Sequence, residues 1–112
     1  MITIYHNPNC SKSRESLRLL TESGNEIEVV EYLKNPPSKN KLMELSKLLG
    51  LKPSEFTRKK EAVITEENID LSSEEKVLEA MTSYPKIIER PIIVNGDRAV
   101  IGRPPEKVKD IL

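Results

Sequence analysis

Residues 2–32 run strand, turn, helix, stop and strand, and that order leaves few folds open. Ile2-Thr3-Ile4-Tyr5 is a short β-branched and aromatic run, and His6-Asn7-Pro8-Asn9 ends it with strong turn chemistry. From Ser11 onward, Leu17, Leu19 and Leu20 recur at helical spacing among charged residues, and Gly24-Asn25 offers a left-handed stop after three to four turns. Ile27, Val29, Val30 and Tyr32 make a second strand, closed by Asn35-Pro36-Pro37. Two strands joined through a helix pair in parallel, with a right-handed crossover expected.

The middle of the chain reads as helical. Ser38 is a plausible cap for a helix whose apolar face is Leu42, Leu45, Leu48 and Leu49, with Gly50 at its end. Pro53 begins a short turn, residues 57–68 are charged and weakly periodic, and residues 71–75 offer caps to a helix bearing Val77, Leu78 and Met81. Arg90-Pro91-Ile92-Ile93-Val94 and Arg98-Ala99-Val100-Ile101 flank Asn95-Gly96-Asp97, which predicts a hairpin around an Asn-Gly turn. Pro104 or Pro105 then opens a last helix through Leu112. A parallel pair followed by helices and a late antiparallel hairpin is the element order of an α/β, thioredoxin-like fold, although order alone fits other mixed α/β arrangements as well. It predicts a mixed four-stranded sheet and an all-helical insertion over about residues 38–84, all within one domain, 1–112.

Eighteen basic and eighteen acidic side chains cancel, so nothing draws the whole chain to nucleic acid or an anionic membrane, and any anion site must be local. No basic segment leads into an apolar stretch at the amino terminus, and no run approaches the roughly 20 apolar residues that span a bilayer. With one cysteine the chain can form no internal disulfide, which fits a reducing compartment, and a cytoplasmic location is expected. One Cys and one His also fall short of a zinc ligand set, so neither metal nor bound cofactor is expected. Size and charge balance suggest a monomer.

Cys10 lies after a strand and a Pro8-containing turn, immediately before a helix that begins Ser11-Lys12-Ser13. A lone cysteine can simply be a small buried hydrophobe. This position argues otherwise: unpaired N–H groups and the positive end of a helix dipole stabilise a thiolate, and the neighbours are polar or cationic. The loop at the carboxyl end of a first strand is also where open α/β sheets place ligands. In a two-thiol oxidoreductase the fourth residue of Cys-x-x-Cys resolves the first, but here it is Ser13. A resolving thiol must then come from outside, with glutathione as co-substrate and glutaredoxin recycling the product. Ser13 can donate a hydrogen bond to the sulfur or serve the helix end, and His6 can support the thiolate or be structural.

Five stretches together resemble a known family: Tyr5-His6-Asn7-Pro8-Asn9-Cys10 with Ser13-Arg14, Tyr32 to Ser38, Arg58-Lys59, Glu89-Arg90-Pro91-Ile92-Ile93-Val94, and Gly102-Arg103-Pro104-Pro105-Glu106. The chain resembles the glutaredoxin-coupled arsenate reductases of the ArsC type, and its Cys-Ser-Lys-Ser-Arg and Ile-Gly-Arg-Pro-Pro-Glu wording is nearest their YfgD-like branch. The resemblance implies a thioredoxin-like fold in which Cys10 attacks arsenate or an analogous oxyanion. Glutathione then displaces the thiol-bound arsenic, and glutaredoxin completes reduction to arsenite, a chemistry of arsenic resistance. It implies that Arg58, Arg90 and Arg103 hold the oxyanion, and that the peptide bond before Pro91 is cis. The physical sense is direct, because a thiolate approaching a multiply charged anion needs fixed guanidinium groups to offset the repulsion. Taken singly, each arginine could be an ordinary surface charge.

Two alternatives share parts of this pattern. Spx-type transcriptional regulators have the same fold and bind RNA polymerase, but they typically carry Cys-x-x-Cys and lack the arginine that Arg103 supplies here. A monothiol deglutathionylating enzyme would bind glutathione without an oxyanion, a reading that the arginine set weakly disfavours.

Overall fold

The computed structural model describes residues 1–112, which divide into two compact units, Met1–Asn35 with Arg90–Leu112, and Pro36–Glu89. The first unit is built on a four-stranded sheet. Strand β1 (Ile2–His6) is followed by helix α1 (Ser11–Glu22) and strand β2 (Ile27–Glu31), and β1 and β2 pair in parallel with Ile4 opposite Val29 and His6 opposite Glu31. Strands β3 (Ile92–Asn95) and β4 (Arg98–Ile101) form an antiparallel hairpin, and β3 pairs with β1 with Ile93 opposite Ile4. The strand order β2-β1-β3-β4 is the mixed sheet of a thioredoxin-like fold.

Alternation sets the core of this unit. Ile2 and Ile4 of β1 and Ile93 of β3 are buried with Leu20 of α1, and Leu17, Leu19, Ile27 and Val100 pack against them. Val108 and Ile111 complete the cluster from the last helix, Pro105–Ile111. That helix is present where the sequence places it but is wound as 3₁₀. Two hydrogen bonds tie its end to the hairpin: Asn95 Nδ2 donates to the Ile111 carbonyl at 2.6 Å, and Arg98 donates to the Asp110 carbonyl.

The hairpin loop is Gly96-Asp97, one residue beyond the Asn-Gly centre expected, because Asn95 still pairs with Arg98 in the ladder. Only Gly96 of the two has positive φ, at 63°, which is the type II′ pattern with glycine first. Tyr32, expected in the second strand, lies just beyond it, where Lys34 N–H and Asn35 N–H both donate to the Glu31 carbonyl at 3.0 Å and turn the chain. The peptide bond Arg90–Pro91 is cis, as the resemblance implies, and so is Arg103–Pro104.

The second unit is helical. It contains α2 (Lys39–Leu49), a 3₁₀ turn at Pro53–Phe56, the short α3 (Ala62–Glu66), α4 (Glu74–Ser83) and a 3₁₀ turn at Pro85–Ile87. Ser38 Oγ accepts from Lys41 N–H at 3.1 Å and Ser73 Oγ from Lys76 N–H at 3.2 Å, so both longer helices start on serine caps. Leu42, Leu45, Phe56, Val77, Met81 and Ile87 are buried. The expected all-helical character has one exception, an antiparallel bridge between Thr57 and Ile88. Its neighbours make the bonds: Arg58 N–H donates to the Ile87 carbonyl at 2.6 Å and Glu89 N–H to the Phe56 carbonyl at 2.9 Å. No helix of the chain is long and apolar enough to cross a membrane.

Candidate active site

Cys10 is the N-cap of α1, in extended backbone at φ −108° and ψ 122°, and the residue is partly exposed. The loop before it is held at both ends. Cys10 N–H donates to the Asn7 carbonyl at 3.0 Å, Asn9 N–H donates to Asn7 Oδ1 at 3.0 Å, and Arg14 Nη1 donates to the Pro8 carbonyl at 2.9 Å. Asn7 is not among the site residues expected from the sequence, although an Asn-Pro step commonly closes a turn on its own side chain.

Two guanidinium groups from the far end of the chain converge on this sulfur. Arg103 Nη1 stands 3.9 Å from Sγ while also donating to the Arg90 carbonyl at 3.2 Å, and the Arg90 side chain is near enough to act on the thiol. Burial alone would push the Cys10 thiol up. The backbone N–H of Ser13, the Arg90 side chain and the backbone N–H of Lys12 outweigh it, and the thiol is held below its ordinary value. The first turn of α1 carries no acidic residue, so nothing there cancels the helix dipole. The N–H groups of Lys12 and Ser13 at the helix start, beside two guanidinium groups, make a positive setting that suits a tetrahedral oxyanion.

Ser13 and His6 are together, and they are buried at 0% and 6% exposure. The Ser13 hydroxyl lies 2.6 Å from His6 Nδ1 and accepts from Asn7 N–H at 3.0 Å. Its partners are thus the loop and the histidine, and it is the Ser13 backbone that reaches the sulfur. Burial holds His6 below its ordinary value, with Glu31 opposing this and Arg14 adding to it, so the ring is mostly neutral near pH 7. A positive charge on His6 is therefore not what His6 offers the thiolate.

Arg58 belongs to the helical unit. There its Nη1 pairs with Glu89 Oε1 at 3.2 Å and its Nε lies 3.7 Å from Glu61 Oε2, with Lys59 and Lys60 beside it in a cavity of about 640 Å³. Two carboxylates thus neighbour this guanidinium, Glu89 within hydrogen-bond distance and Glu61 as a longer ion pair.

Residues 5–111 match the model of the ArsC family. The uncharacterized protein YfgD of Escherichia coli is 49% identical over 114 residues, covering 99% of this chain and 96% of that one. The arsenate reductase of Haemophilus influenzae is 43% identical over 115 residues, covering 99% and 98%. Among solved structures, an arsenate reductase from Vibrio cholerae superposes with a TM-score of 0.93 at 45% identity, covering 99% of this chain and 97% of that one. A likeness that runs from the first strand to the last helix and takes in the Cys10 loop and both converging arginines means that the chain belongs to the ArsC family.

Proposed function

We propose that the protein is an oxidoreductase that reduces arsenate, or an oxyanion of the same charge and shape, with glutathione as co-substrate and glutaredoxin as recycling partner in the cytoplasm. The observation that carries this is the sulfur of Cys10, supported by the N–H groups of Lys12 and Ser13 and flanked by Arg90 and Arg103. Membership of a family whose relatives include arsenate reductases supports it further.

In this reading the Cys10 thiolate attacks arsenic(V), an S–As bond forms, and one oxygen leaves as water after protonation. Arg90 and Arg103 offset the repulsion between thiolate and anion and hold the charge that builds on the remaining oxygens. A glutathione thiolate then attacks the Cys10 sulfur. The S–S bond forms, the S–As pair stays on arsenic, and arsenite leaves as arsenic(III). Glutaredoxin takes the glutathionyl group by thiol–disulfide exchange and restores Cys10, so in this reading the arsenic is already reduced when glutaredoxin acts, and glutaredoxin completes the cycle and not the reduction itself. Arg58 joins the oxyanion-binding set through the family resemblance. A monothiol enzyme acting only on glutathionylated proteins also gains from a guanidinium group that lowers the thiol, but a second one gathered at the same sulfur leaves positive charge for an anion, which favours the oxyanion.

The test is an NADPH-linked assay with glutathione, glutaredoxin and its reductase, offering arsenate and, separately, a glutathionylated protein. Arsenate-dependent turnover that disappears in Cys10→Ser supports the reading. Turnover with the glutathionylated protein alone would replace it with the deglutathionylating one.

A further inference from the structure

Gly102 stands between β4 and Arg103, and it has no room for a side chain. A Cβ there would lie 2.4 Å from Ser16 Oγ, 2.9 Å from Pro91 Cγ and 3.2 Å from Ile93 Cδ1. Its φ is not in the left-handed region, so space and not backbone conformation requires glycine. Its N–H donates to the Pro91 carbonyl at 2.9 Å, and its carbonyl accepts from Ser16 Oγ at 3.4 Å.

These neighbours are the roots of the site. Pro91 directly follows Arg90, Gly102 directly precedes Arg103, and Ser16 lies on α1, the helix that Cys10 caps. Ser16 is 0% exposed, like Ser13 one turn before it. Two small hydroxyl-bearing residues thus occupy the buried start of α1, where a larger pair would keep the other segments away. Ser13 binds the loop after β1, and Ser16 meets the segment after β4.

We infer that Gly102 and Ser16 are positioning residues, whose close contact with each other and with Pro91 sets the reach of Arg103 and Arg90 to the Cys10 sulfur. The inference rests on reading Cys10 as the nucleophile. An added Cβ at 102 forces Ser16 Oγ, the Pro91 ring or the backbone itself to shift, and the share that falls on Pro91 and on residue 102 moves Arg90 and Arg103 relative to Sγ and disturbs the bond to the Arg90 carbonyl. Neither residue touches the sulfur, so both act through the arginines.

The experiment measures the rate of Cys10 alkylation by iodoacetamide against pH in the full chain, with thermal melting as the folding control. In Gly102→Ala the inflection is expected to rise by about one pH unit, so that the alkylation rate on the acid side of both inflections falls roughly tenfold, and KM for arsenate rises. Adding Ser16→Ala to Gly102→Ala removes the nearest clashing atom and brings the inflection part of the way back. A folded Gly102→Ala protein that melts lower but keeps the wild-type inflection overturns the inference, because a merely structural glycine would behave so. If Gly102→Ala does not fold, Ser16→Val crowds the same contact from the helix side, and an unmoved inflection there overturns it equally. The two readings fail separately: a low-titrating wild-type thiol without arsenate turnover removes the proposed function alone, whereas arsenate turnover with an unmoved inflection in the variants removes this inference alone.

Discussion

Arg103 Nη1 lies 3.9 Å from the sulfur of Cys10, although 93 residues separate the two in sequence. The same nitrogen donates to the Arg90 carbonyl, so the side chain is braced before any substrate arrives. A braced guanidinium loses little freedom on binding and presents its fork in a fixed plane. Arg103→Ala is therefore expected to weaken oxyanion binding by about 1.5–3 kcal/mol, roughly ten- to a hundredfold. Arg103→Lys should recover the charge but only part of the affinity. Competition by arsenate or sulfate against alkylation of Cys10 reads both, and equal affinity in Arg103→Ala and wild type would place the anion elsewhere.

The lowered thiol also has a signature in stability. Folded Cys10 gives up its proton at a lower pH than unfolded Cys10, so between the two values the unfolded state binds more protons and stability rises with pH. The contribution is absent below the folded value, grows through that window and is complete above the unfolded value. Denaturant midpoints of wild type and Cys10→Ser should therefore diverge in favour of wild type as pH climbs toward about 9. Arg90→Ala should narrow the window from its acid side. A constant difference across this range would mean that the thiol titrates as it does in the unfolded chain.

His6 works in the opposite range. Its folded value lies below the ordinary one, chiefly because the ring is buried, so the contribution of the neutral ring is complete above about pH 6.5 and is lost as pH falls through the lowered value. Replacement by Asn removes a titrating group from this position and should flatten the part of the acid limb of a stability profile that begins just below about pH 6.5. Ser13→Ala should cost about 1–3 kcal/mol, since it strands the Asn7 N–H and the ring nitrogen. Because the Ser13 backbone, not its hydroxyl, reaches the sulfur, Ser13→Ala should move the alkylation inflection less than Arg90→Ala does.

Much of this was legible in the residues because the signals are local. Ser38 and Ser73 sit where cap chemistry puts them, the Ile2 and Ile4 alternation sets the buried face of β1, and the turn residues bracket every long element. Cys10 before a helix was readable for the same reason, and Arg90 and Arg103 came from the family wording. The features that stayed hidden depend on contacts across the chain. The Ser13 hydroxyl could have faced the sulfur or the loop, and only the burial of His6 beside Asn7 decides it. The second cis bond, at Arg103–Pro104, has no mark distinguishing it in the sequence from a trans Arg-Pro step. Ser16 and Gly102 are 86 residues apart, and neither residue type announces a partner. The one available hint was a glycine directly before the Arg-Pro-Pro turn.

A single thiol limits the chain to one turnover without an outside partner. Ser13 occupies the place of a resolving cysteine with its hydroxyl committed to His6 and Asn7, so the chain has no internal thiol to release arsenic from Cys10. With arsenate and glutathione but no glutaredoxin, the reaction should stop after one arsenite per chain, with one glutathione attached to Cys10. Intact mass measurement would show the adduct in wild type and not in Cys10→Ser, and adding reduced glutaredoxin should remove it and restart turnover. Multiple turnovers with glutathione alone, or release of arsenite with no adduct at Cys10, would mean that a second glutathione or a different thiol closes the cycle, and the assignment of glutaredoxin to the recycling step would fall.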